Sequence, residues 1–126
     1  MSATEETIFK DIIGKTISKI FIDSNREKIK FIFDNSETWL MYHSQDCCES
    51  VTIESIVGDL EDITDSPLLQ AVAISYVPEK PDNDSETWTF YRFSTIKGTI
   101  TIRWFGQSNG YYSESVSFVK EDTYVN

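Results

Sequence analysis

The sequence predicts an α+β domain, mainly antiparallel β-sheet arranged as a sandwich or half-barrel of about six to eight strands, with one or two short helices. Three observations carry this. Short apolar runs recur along the chain with turn residues between them. Two segments alternate residue by residue, with Ile29, Phe31 and Phe33 on one face of the first and Ile100, Ile102 and Trp104 on one face of the second. Eight Phe, six Tyr and three Trp supply bulky side chains for an ordered core. A chain of 126 residues is one domain, 1–126, with 1–5 and 120–126 expected to fray.

Taken in order, Thr4 reads as the cap of a short helix through Ile8, Phe9, Ile12 and Ile13, with Glu5 and Glu6 in its first turn and Gly14 closing it. Three strands follow, 16–23, 28–33 and 38–43. The turns between them, Ser24-Asn25-Arg26 and Asp34-Asn35-Ser36, are short enough to imply an antiparallel meander. Val51-Thr52-Ile53 is a short extended piece. Ile56, Val57, Leu60 and Ile63 have helical spacing, which places a second helix over 54–62 despite Gly58. The β-branched run 68–77 reads as a strand buried on both faces, and 78–85 as an exposed polar loop. Strands at 87–93, 98–105 and 112–119 complete the chain, the last pair joined by a hairpin at Asn109-Gly110. Ser36-Glu37-Thr38-Trp39 is echoed by Ser85-Glu86-Thr87-Trp88 at the start of two of these strands.

Twenty-one acids against eleven bases give a net charge of −10. Such a surface repels nucleic acid and anionic membranes and attracts basic protein surfaces. No apolar run approaches the about 18 residues of a membrane span. The first residues lack the basic and hydrophobic regions of a signal peptide, so a reducing cytoplasm is the expected compartment. The two cysteines are adjacent. A bridge between them would close a strained eight-membered ring, so no intrachain disulfide framework is expected.

Chemistry-bearing residues concentrate in one loop-sized stretch holding His43, Asp46, Cys47, Cys48 and Glu49, with the only histidine of the chain. These are zinc-binding types, and His43, Cys47 and Cys48 are the metal candidates. Structural sites space their cysteines further apart, and no second cluster completes a tetrahedron, so neither metal nor other cofactor is expected. One cysteine is expected to pack in the core and the other near the surface. A Cys47–His43 nucleophile pair lacks an oxyanion-hole signature. On the C-terminal strands Arg92, Arg103, Trp104, Tyr111 and Tyr112 combine arginines with aromatic faces, the groups that hold a nucleotide or small anion. Glu114 comes near the His-Cys loop if the sheet closes.

The string Tyr42-His43-Ser44-Gln45-Asp46-Cys47-Cys48-Glu49-Ser50-Val51, together with Ile56-Val57-Gly58-Asp59-Leu60, Trp88-Thr89-Phe90-Tyr91-Arg92, Ile102-Arg103-Trp104-Phe105-Gly106 and Ser108-Asn109-Gly110-Tyr111-Tyr112-Ser113, resembles a family of small bacteriophage and prophage proteins carried as a domain of unknown function. The resemblance spans about Gly14 to Phe118 and brings no catalytic residues with it. It implies a phage setting in the cytoplasm of a bacterial host. There a small acidic protein is expected to act without catalysis, binding a basic surface of a host defence protein. Sequestration of a small nucleotide signal is the alternative, and a metal- or thiol-dependent enzyme a remote one.

Overall fold

The structure, a computed structural model, describes residues 3–82 and 84–121. Its strands form two antiparallel sheets that pack face to face. One has five strands in the order β1 (Ala3–Ile8), β6 (Gln70–Val77), β7 (Ser85–Thr95), β8 (Gly98–Ser108) and β5 (Ser50–Val57). The other has four, in the order β2 (Ile17–Ile22), β3 (Lys28–Phe33), β4 (Thr38–Tyr42) and β9 (Ser117–Lys120). The meander β2–β3–β4 follows from its turns. The Asp23 carboxylate accepts the N–H groups of Glu27 and Lys28, and the Asn35 side chain accepts that of Glu37.

The alternating faces meet in the middle. Ile29, Phe31 and Phe33 of β3 and Met41 of β4 face Tyr91 and Phe93 of β7 and Ile100, Ile102 and Trp104 of β8, all buried. Phe118 is the hub of the aromatic packing, with ring centroids 5.0 Å from Trp39, 5.1 Å from Phe9 and 5.5 Å from Phe31. The Trp104 indole N–H donates to the Met41 sulfur at 3.2 Å, so the buried indole meets a partner across the two sheets.

Four elements differ from the sequence expectation. The first helix is a strand. β1 covers the open edge of β6, in register from Ala3↔Val77 to Ile8↔Val72, and only Lys10–Ile12 form a 3-10 turn. A lone helix of two or three turns is marginal, whereas the sheet edge offers a full ladder to the β-branched Thr4, Thr7 and Ile8. The second helix is also a strand as far as Val57, followed by a 3-10 turn at Leu60–Ile63. A bulge between Ile53 and Ser55 shifts the phase of β5, so inward residues fall at 51, 53 and 56 and imitate helical spacing. Gly58 then turns the chain at φ +108°, where a β-carbon would stand 2.8 Å from the Thr99 carbonyl oxygen.

The last strand is shorter and pairs elsewhere. β8 lies between β7 and β5, so both of its edges are taken and no hairpin partner can add to it. The chain turns at Asn109-Gly110 and crosses to the other sheet, where β9 pairs with β4. β6 is buried at Ala71–Ala73, but Tyr76 and Val77 are exposed, so it is not covered along its whole length. Ala3 to Glu5 and Lys120 belong to strands. The frayed ends expected at 1–2 and 122–126 fall outside the described residues.

Candidate functional site

The loop between β4 and β5 is shaped by its own side chains. Glu49 is buried, and its two carboxylate oxygens accept the backbone N–H groups of Asp46 at 2.8 Å and Cys47 at 2.9 Å. His43 Nε2 lies 2.7 Å from the same carboxylate, and the exposures of the two side chains are 4% and 0%. His43 Nδ1 faces the Ser115 carbonyl oxygen at 2.6 Å. The two ring nitrogens thus face two acceptors, a carboxylate and a backbone carbonyl. Burial works to raise the Glu49 carboxyl. The hydrogen bonds from His43 and from the Cys47 and Asp46 backbones outweigh it and hold the group down at about 2. The Gln45 amide closes the loop by donating to the carbonyls of Cys47 and Glu49. The string His-x-Gln-Asp-Cys-Cys-Glu therefore encodes one self-capped loop.

A second buried carboxylate fixes the facing segment. Glu114 accepts the hydroxyls of Thr87 on β7, at 2.7 Å, and Ser108 at the end of β8. Gly106 makes room for it, since a β-carbon there would stand 2.8 Å from Glu114 Cβ. The neighbouring Ser115 carbonyl is the one His43 holds, so the two loops are pinned to each other. Beside them opens a polar cleft of about 500 Å³ lined by Cys48, Ser50, Asp82, Asp84, Gln107, Ser108, Asn109 and Tyr112.

Of the residues marked by the sequence, His43, Asp46, Cys47, Cys48, Glu49, Tyr112 and Glu114 do converge around this cleft or its supports. The others do not. Trp104 is fully buried in the core and presents no face to a ligand. Arg92 and Arg103 lie on the outward face of the five-stranded sheet. There the Arg103 guanidinium covers the rings of Trp88 and Phe90 at 5.5 and 5.9 Å and approaches Glu54 at 3.6 Å. Tyr111 is 86% exposed and rests on Tyr112. The cysteines correct the expectation twice over. Cys47 and Cys48 are joined to each other in a disulfide, and both residues are exposed, so neither packs in the core. Among the described residues, no group of three or more His, Cys, Asp or Glu has the arrangement to hold a metal ion.

Sequence reasoning missed the rim of the cleft: Ser50, Asp82, Asp84, Gln107, Ser108 and Asn109. Its signal was present in the acids of the 78–85 loop and in the Asn-Gly turn. Nothing in the sequence placed those two loops side by side.

The described residues contain no helix long and apolar enough to cross a membrane. No curated protein and no solved structure matches the chain. The family model described as Domain of unknown function (DUF7448) matches residues 10–118, and the chain belongs to that family.

Proposed function

We propose that this is a non-catalytic binding protein whose acid-rimmed cleft receives a basic patch of a protein partner. The observation that carries the reading is the composition of the rim. Asp82 and Asp84 are exposed there, and no Lys or Arg is among its described lining residues. A net charge of −10 extends the same attraction over the surface and steers encounter with a basic partner. Two of the buried carboxylates, Glu49 and Glu114, are already engaged beside the cleft. Glu49 is occupied by His43 and two backbone N–H groups, and Glu114 by two hydroxyls. They act as supports that hold the rim in place.

The phage-protein resemblance supplies the setting. The partner is a component of a bacterial defence system, met in the host cytoplasm and blocked at a basic groove. The test is affinity capture from bacterial lysate with the wild-type chain and an Asp82→Asn/Asp84→Asn variant. Capture of a basic protein that is lost in the variant and in about 0.5 M salt supports the reading. Retention that is equal in both proteins and indifferent to salt would sink it. A second reading, sequestration of a small nucleotide, draws on the Arg103, Trp88 and Phe90 cluster of the outward sheet face. It requires a thermal shift with nucleotide that Arg103→Ala abolishes.

A further inference from the structure

We propose that Cys47 and Cys48 are a reversible dithiol–disulfide pair, a redox modification site on the wall of the cleft that exchanges with small dithiols or dithiol carrier proteins. The inference stands apart from the binding reading, because its readout needs no partner. A structural role for the bridge is poorly supported. Disulfides stabilise chiefly by closing a loop of the unfolded chain, and the gain grows with the length of that loop. The sequence separation here is 1, so no loop of chain is closed. The loop holds its shape by other means, namely the Glu49 carboxylate on the Asp46 and Cys47 N–H groups and the Gln45 amide on two carbonyls. None of these bonds involves sulfur, so the pair can open while its frame persists.

Access favours exchange as well. Both cysteine residues are exposed, and Cys48 lines the cleft beside Ser50 and Tyr112. Exposed disulfides are the labile and regulatory ones, because a thiolate can reach the sulfur it attacks. In the reductive direction, one thiolate of the dithiol attacks a sulfur of the pair and the S–S bond breaks. The other cysteine leaves as a thiolate and takes up a proton. The second thiol of the reductant then displaces the first cysteine, which is freed as a thiol, and the reductant departs as its own disulfide. Two electrons and two protons have passed to the pair. Oxidation by a disulfide-bearing carrier runs the same steps backwards. No other cysteine exists in the chain, so the product of oxidation is the internal bridge or a link between chains.

The experiment equilibrates the full chain in buffers of graded oxidised-to-reduced dithiothreitol ratio, blocks free thiols with N-ethylmaleimide and weighs the intact protein. The expected populations carry either no adduct or two, interchanging with the buffer ratio, and the melting temperature in the two states agrees within about 5 °C. Persistent single adducts, disulfide-linked dimers as the main oxidised product, two adducts at every ratio, or a larger fall in melting temperature on reduction would each overturn the proposal.

Discussion

His43 Nε2 stands 2.7 Å from Glu49 Oε2 with both side chains withdrawn from solvent, and the same carboxylate caps the Asp46 and Cys47 backbone. The loop is therefore built for an ionised Glu49. Its carboxyl drops from an ordinary 4.5 to about 2 on folding, so it adds stability above about pH 4.5 that is lost as pH falls through about 2. Glu49→Gln removes that dependence. Urea unfolding of the two proteins from pH 6 to pH 2 is expected to show a gap that is widest at the neutral end and narrows in acid. A gap constant with pH would contradict an ionised, bonded Glu49.

Glu37 shares the same acid window for a different reason. The Lys15 ammonium donates to both of its oxygens at 2.8 and 3.0 Å, against the opposing effect of burial, and Trp39 and Lys120 assist. The carboxyl is held at about 2. In Lys15→Met it should climb back toward the ordinary carboxylate range, as followed by carboxyl carbon NMR. Both groups reach solvent, so the stability lost is small and shrinks further in high salt.

Tyr91 predicts behaviour at the alkaline end. Burial pushes its phenol up, and the hydroxyl donates to the Val116 carbonyl at 3.2 Å. The fold favours the neutral phenol, so this contribution is complete below the unfolded value of about 10 and lost as pH rises above it. Tyr91→Phe keeps the ring and loses about 1 kcal/mol at neutral pH. Denaturant melts at rising pH should show the wild type losing its advantage above about pH 10. An unchanged difference would mean the phenol ionises freely.

Phe118 joins β9 to the aromatic core from both sheets, touching Phe9, Phe31, Trp39, Tyr91 and Phe93. Phe118→Ala leaves a cavity that its neighbours on strands cannot close and should cost about 3–5 kcal/mol in urea unfolding. A loss near 1 kcal/mol would place β9 outside the cooperative core.

How far the sequence told this in advance depended on whether a signal was local. The alternation in β3 and β8 is a property of neighbouring residues, and the faces it grouped, Phe31 with Ile29 and Phe33 and Trp104 with Ile100 and Ile102, prove to be the buried ones. The same alternation argued against Trp104 as a binding residue, since it shares the face of Ile100 and Ile102. Long-range competition was invisible. Whether Thr4 to Ile8 coils or extends is decided by the vacant edge of β6, and whether 112–119 returns to β8 by the prior claim of β5. The echoed Ser-Glu-Thr-Trp shows the limit of local similarity. Trp39 is buried beside Phe118, while Trp88 sits under Arg103 on the outward face. The loop at 43–49 stood out because it gathers the only histidine, both cysteines and two carboxylates in one stretch. That His43, Gln45 and Glu49 are spent on the loop itself and on Ser115 could be read only in three dimensions.

The closest test of how the two loops depend on each other is Gly106. The residue lies on β8 under Glu114, and a methyl group there would meet Glu114 Cβ at 2.8 Å, its carbonyl oxygen at 3.1 Å and Val51 Cγ2 at 3.2 Å. Two of these three belong to the Glu114 segment, which the Thr87 and Ser108 hydroxyls hold down, so that segment must lift or lose its bonds. Gly106→Ala should therefore cost about 1–3 kcal/mol, the usual range for an overpacked site. The displacement should also travel. Ser115 follows Glu114 directly and its carbonyl holds His43, so amide NMR shifts are expected to change at 113–116 and again across 43–49, well beyond the immediate neighbours of residue 106. Gly14→Ala serves as the comparison, since its β-carbon meets nothing within 4 Å and its φ of +89° imposes only local backbone strain. Shift changes confined to β8 and β5 in Gly106→Ala would show that the His43–Ser115 contact does not couple the loops, and the cleft would then have two independent walls.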